Sequence, residues 1–206
     1  MKKNESPFKL AVLISGEGSN LQAIIDAIDT GALDARIDIV ISNKASANGL
    51  NRAKQAGIPA VVVAPVKGQS REEYDQCLRD TLAPFTPDLI VLAGFMRILS
   101  ADFVYSFADK IINIHPSLLP AYKGMDTHQR VLDAGEPYHG ATVHFVTEKL
   151  DDGEIIIQSR IKILPDDDAE SLQQRVHFEE FICTANVCNA FKFISHIFLP
   201  WKLKSF

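Results

Sequence analysis

Short apolar runs alternate with amphipathic stretches along most of the chain. Phe8 to Ser15, Ile37 to Ser42, Pro59 to Val63, Leu89 to Ala93 and Ile111 to His115 are apolar segments of strand length. Between them lie helical patterns. Asn20 to Asp29 places apolar residues at 21, 24, 25 and 28, on one helix face. Asn48 to Ala56 is a second helix, with Gly57 placed to stop it. Ser70 to Leu82 is a third and opens Ser70-Arg71-Glu72-Glu73, a capping box. Ala101 to Phe107 is a fourth. Strands alternating with helices at this spacing predict βαβ units, a parallel sheet and right-handed crossovers.

The pattern then changes. Thr142 to Val146 alternates by two, Asp151-Asp152-Gly153 is a turn signal, and Ile155 to Ile163 is another strand. Asp168 to Val176 begins a last helix. The expected fold is α/β: a Rossmann-like, mostly parallel sheet flanked by helices, with an antiparallel extension near residues 140–163. No linker or repeat interrupts the pattern, so residues 1–206 are read as one domain.

Composition narrows the class. A net charge of -5 argues against bulk nucleic-acid binding, yet leaves room for an anionic small molecule in a local pocket. The three cysteines, Cys77, Cys183 and Cys188, form no C-x-x-C pair, so reduced thiols and a cytoplasmic location are expected. The first apolar run is short and reads as a buried strand rather than a signal peptide. No apolar run approaches the roughly 18 residues of a membrane span.

Two features point to chemistry. Ser15-Gly16-Glu17-Gly18-Ser19-Asn20 joins the first strand to the first helix. Such a loop brings backbone N–H groups and a helix N-terminus to an anion. A dinucleotide fits poorly, because Leu21 stands where a third glycine belongs and the second strand ends in Ser42-Asn43-Lys44 without an acid. A single phosphate is the better guest, and a plain β–α turn with a Ser N-cap is the structural alternative. In Asn113-Ile114-His115-Pro116, the two polar residues share a strand face. An amide and an imidazole there suit a developing oxyanion, although a strand-end His also serves purely structural ends. Asp151 is a third candidate, able to favour an imidazolium at His115, or else a plain turn residue. His144 is open between site and sheet, and His128 and His139 read as loop residues. Met96, Ile98 and Leu99 follow the fourth strand and suggest an apolar slot for a flat heterocycle, or a buried loop. No metal-ligand spacing and no Gly-x-Ser-x-Gly elbow occurs.

Together these stretches resemble the phosphoribosylglycinamide formyltransferases, the folate-dependent GAR transformylases of purine synthesis. The resembling segments are Val12 to Asp26, Ile41 to Lys44, Asp88 to Ser100, Asn113 to Pro120 and His144 to Gly153, in the family's order over about residues 8–180. The resemblance implies roles. Gly18, Ser19 and Asn20 would hold the substrate's phosphate. Arg71, Met96, Arg97, Ile98, Leu99, Asn113, His144, Thr147, Glu148, Lys149, Leu150 and Asp151 would form the folate site. Asn113, His115 and Asp151 would be catalytic. His177, Phe178, Glu179 and Glu180 would meet the glycinamide substrate, Glu180 most clearly. The co-substrate implied is 10-formyltetrahydrofolate, with no metal, no nucleic acid and no membrane, in a monomer or homodimer.

The likeness fades after Glu180. Phe181 stands where the family usually has His, His177 where it commonly has Gln, and Phe181 to Phe206 is an unfamiliar, Phe-rich tail whose apolar content favours self-association or weaker stability. A formyltetrahydrofolate hydrolase would share the trio but usually carries a preceding regulatory domain. A methionyl-tRNA formyltransferase would need a basic C-terminal domain. From another class, a noncatalytic binding module for a phosphorylated metabolite would leave Asn113 and His115 idle.

Overall fold

The computed structural model describes residues 7–202, with side chains described through Phe191. The tail side chains beyond that point lie outside the described residues. The element order is β1 (Phe8–Ile14), α1 (Ser19–Asp29), β2 (Ala35–Ser42), α2 (Gly49–Gln55), β3 (Ala60–Val62), α3 (Arg71–Leu82), β4 (Leu89–Leu92), α4 (Ala101–Ser106), β5 (Ile111–His115), α5 (Thr127–Asp133), β6 (Tyr138–Phe145), β7 (Ile155–Lys162) and α6 (Ala169–Lys202).

All seven strands form one sheet in the order β3-β2-β1-β4-β5-β6-β7. Pairings among β1 to β5 are parallel, and β5–β6 and β6–β7 are antiparallel. β4 is apolar throughout and β1 is apolar from Leu10 to Ile14 because both faces are covered. Leu10, Val12 and Ile14 of β1 join Leu21, Ile24 and Ile25 of α1 and Cys183, Val187 and Cys188 of α6 in one core. Ala11 and Leu13 face the other way, onto Tyr74, Leu78 and Leu82 of α3 and Phe103 of α4. In β2 the alternation breaks: Ile37 lies in the first core and Ile39 in the second. The β1–β2 register skips Asp38 between them, so a bulge turns the strand over.

Two elements differ from the sequence reading. β6 begins at Tyr138, before the alternation at Thr142 becomes visible. Gly140 admits β7 there, since a Cβ would lie 1.9 Å from the Ser159 carbonyl oxygen. α5 was not foreseen, because a seven-residue helix that buries only Thr127 and Val131 has no repeating apolar stripe. His128 and His139 are therefore not loop residues. His128 lies on α5 and His139 on β6, and their rings meet edge to face with His139 Nε2 3.0 Å from His128 Nδ1.

Candidate active site

The strand order reverses at β1 and β4, and ligands of open α/β sheets bind at the C-terminal edge beside such a reversal. The glycine loop leaves β1 at that edge, and Asn113 and His115 end β5 two strands away, roughly 10 Å at normal strand spacing.

The loop is held open by close backbone packing. Gly18 adopts φ 72°, and a Cβ on it would lie 2.6 Å from Gly49 Cα. Gly49 N–H donates to Gly16 O, and Arg52 Nε donates to Glu17 O. Gly18 itself is the N-cap and makes no side-chain cap bond, so the Ser N-cap of the structural alternative is not formed. Ser19 is exposed at the first turn of α1, where backbone N–H groups remain free for an anion. Asn20 hydrogen-bonds Glu180, which α6 brings against α1. Glu180 is buried, its Oε2 has no hydrogen-bond partner among the described residues, and burial pushes its carboxyl up to about 7. His177 Nε2 lies 3.7 Å from that oxygen. By distance this is an ion pair, but burial lowers the His177 basicity and raises that of Glu180, so the neutral forms are favoured. Phe178 points to solvent, and Glu179 turns to Ser159 Oγ.

The other half of the site is built on β5 and β6. Asn113 pairs directly with His144, and His115 with Thr142. His144 Nδ1 donates to the Phe145 carbonyl at 2.8 Å, leaving Nε2 to accept from Asn113 Nδ2 at 3.2 Å. Burial lowers the His144 basicity, which agrees with that neutral tautomer, so its 3.7 Å approach to Asp151 Oδ1 is not an ion pair. Asp151, at φ 47°, reaches in from the β6–β7 connection. Its Oδ1 accepts from Asn113 Nδ2 at 3.4 Å. Its Oδ2 accepts from Gly124 N–H at 2.9 Å and lies 3.4 Å from His115 Nδ1. His115 Nε2 donates to the Tyr122 carbonyl at 3.0 Å. Both imidazole nitrogens therefore face oxygen acceptors, an arrangement that only the doubly protonated ring satisfies completely.

A cleft opens beside this group. Its wall includes Arg97, Ile98, Leu99, Asn113, His144, Thr147, Lys149, Leu150 and Asp151, completed by Leu92, Phe95 and Val146, which the sequence reading did not single out. Three residues expected in the folate site, Met96, Glu148 and Arg71, are not on that wall, and neither is His115, which was expected to be catalytic. Met96 is exposed while its N–H donates to Ser15 Oγ, Glu148 accepts from Tyr105 Oη, Arg71 is the exposed first residue of α3, and His115 is buried alongside Asp151. The contributions of the Tyr122 carbonyl and Gly124 N–H are backbone ones, for which side-chain identity is no guide. Among the described residues no cluster of three or more His, Cys, Asp or Glu is arranged to hold a metal.

The formyl transferase family model matches residues 8–187. The chain belongs to the formyl transferase family. It is 50% identical over 173 residues to a phosphoribosylglycinamide formyltransferase of Haemophilus influenzae, covering 84% of this chain and 82% of that one. It is 52% identical over 174 residues to the trifunctional purine biosynthetic protein adenosine-3 of Drosophila melanogaster, 84% of this chain but only 13% of that much longer protein. The structure of the phosphoribosylglycinamide formyltransferase of Coxiella burnetii in complex with CHES superposes with a TM-score of 0.86 at 49% identity, over 89% of this chain and 86% of that one. The family thus confirms the α/β fold and a formyl-transferring enzyme.

Proposed function

We propose that this formyltransferase moves the formyl group of 10-formyltetrahydrofolate to the amine of 5-phosphoribosylglycinamide. The observation that carries the reading is Asp151, whose two oxygens address Asn113 and His115 at one end of a partly apolar cleft. The cleft suits a flat heterocycle, and the Gly18 loop suits the phosphate of the second substrate.

The amine lone pair attacks the formyl carbon, a C–N bond forms, and the carbonyl electrons move to oxygen. The oxyanion needs donors aimed at it. The Asn113 amide spends its protons on His144 Nε2 and Asp151 Oδ1. The 3.4 Å bond to Asp151 is the longer, and it is the one exchanged for the oxyanion. His144 meanwhile keeps the amide from flipping. His115, charged beside Asp151, supplies the opposing positive field. The ammonium proton then passes through Asp151, directly or by water, to the folate nitrogen, and the original C–N bond breaks to release tetrahydrofolate. The free thiols, Cys77, Cys183 and Cys188, suit a reducing cytoplasm.

The test supplies 10-formyltetrahydrofolate with and without glycinamide ribonucleotide. Amine-dependent release of tetrahydrofolate is expected. Release without the amine would make the protein a hydrolase, and no release from folded protein would make it a binding module.

A further inference from the structure

The loop between β4 and α4 forms one side of the cleft through Phe95, Arg97, Ile98 and Leu99. It contains no regular element of its own, so something else must fix its shape. Its start is tied to Ser15, the residue just after β1, by the Met96 N–H bond to Ser15 Oγ at 2.7 Å. Its middle and its end are both tied to α3.

Arg97 lays its guanidinium 4.0 Å from the centre of the Tyr74 ring. Tyr74 is itself fixed, being 1% exposed and donating its hydroxyl to the Val63 carbonyl at 2.9 Å. Burial pushes that hydroxyl up to about 12, so it remains a neutral donor at working pH. Asp75 follows on the same helix and is fully buried. Its Oδ2 accepts the Ser100 backbone N–H at 2.5 Å, at the residue where the loop ends and caps α4.

A buried carboxylate is an expensive way to fill an apolar helix face. Asp75 sits among Tyr74, Leu78 and Leu82 on the buried side of α3, and its Oδ1 has no partner among the described residues. Its one strong contact goes to the loop. A residue kept for packing alone would be apolar here.

Resting on the proposed transferase reading, we infer that Tyr74 and Asp75 are positioning residues for the folate slot: they hold the 95–100 loop at the spacing a flat heterocycle needs, without touching the ligand. Arg71 stands one helical turn before Asp75, about 6 Å along the axis. α3 therefore carries both the residues that hold the loop and the arginine that the resemblance places in the folate site. Groups that place backbone donors and acceptors must hold them to a fraction of an ångström, so loosening the loop should weaken folate binding selectively.

The experiment compares Asp75→Ala, Asp75→Asn, Tyr74→Leu and Tyr74→Phe in the full chain. Asp75→Ala and Tyr74→Leu are expected to raise the KM for 10-formyltetrahydrofolate, and the Kd for tetrahydrofolate alone, about tenfold, with the KM for glycinamide ribonucleotide moving less than about twofold. Asp75→Asn retains an oxygen for Ser100 N–H, and Tyr74→Phe retains the ring under Arg97, so each should recover most of the folate affinity. Equal rises in both KM values, or a fall in turnover with both unchanged, overturns the inference. If Asp75→Ala does not fold, Tyr74→Leu against Tyr74→Phe decides it alone. Absence of amine-dependent transfer in the unmutated protein would instead sink the transferase reading.

Discussion

Asn113 and His144 face each other across the β5–β6 pair, and the histidine ring accepts the amide proton that fixes which way Asn113 points. Flipping the amide would put its oxygen against the Asp151 carboxylate, so the acceptor on His144 and the charge on Asp151 select one orientation together. His144→Leu removes the acceptor. It is expected to lower turnover about tenfold, and Asn113→Ala about 10²–10³-fold, the range for losing an oxyanion donor. If His144 acts through Asn113, its loss costs almost nothing more in the Asn113→Ala background. Turnover measured across the four proteins of that cycle decides the matter, and additive losses would separate the two residues.

Asp151 joins both halves of the trio, with one oxygen on Asn113 Nδ2 and the other 3.4 Å from His115 Nδ1. Asp151→Asn keeps an oxygen for Gly124 N–H but removes the charge. Turnover should fall about 10²-fold, with the fold intact. Turnover within about twofold of the parent in folded Asp151→Asn would free Asp151 of this role.

His128 and His139 share one hydrogen bond between their rings, so the accepting nitrogen cannot take a proton of its own without breaking it. Burial lowers both to about 4 from the usual 6.5. The unfolded chain therefore binds more protons than the folded one between those values. Stability that is complete above pH 6.5 drains away as pH falls towards 4, and levels off below it. The loss should be on the order of 3 kcal/mol for the coupled pair, after discounting the partial exposure of His128. Thermal melts at pH 7 and pH 5 measure it. In His139→Phe the difference between the two should shrink, and an undiminished slope would place the sensitivity elsewhere.

Where local chemistry decides structure, the sequence was legible. The Ser70–Glu73 capping box forms as read, with Glu73 N–H to Ser70 Oγ and Ser70 N–H to Glu73 Oε2. Gly57 takes the left-handed turn after α2. β1 and β4 were legible because burial on both faces leaves Leu10 to Ile14 and Leu89 to Leu92 without a polar position to blur the run. Half of β6 was not, because His139 and Gly140 are there for a ring partner and for close approach of β7, neither visible in the local pattern. The site divides the same way. The two-residue spacing of Asn113 and His115 follows from strand geometry alone. The position of Asp151 follows from a left-handed backbone and a Gly124 N–H far away in sequence, and in the chain it looks like any turn aspartate.

Glu180 sets stability against binding. Its carboxyl is held up to about 7 by burial, above its usual 4.5, with the Asn20 hydrogen bond opposing the shift. The folded state thus holds this proton more tightly than the unfolded one. The resulting stabilisation is complete below pH 4.5 and is lost as pH rises through 7, beyond which an ionised carboxylate stays buried with one oxygen unpartnered among the described residues. Glu180→Gln carries no proton to lose. It should be more stable than the parent at pH 8 by about 1–3 kcal/mol, with the gain vanishing near pH 5. The same change halves the oxygens that can accept from the proposed amine substrate, so its KM should rise about tenfold while the folate KM holds. Melting curves at both pH values and the two KM values test this together. Parallel melting profiles, or a shift in the folate KM instead, would show that Glu180 acts as a packing residue of α6 and not as a substrate acceptor.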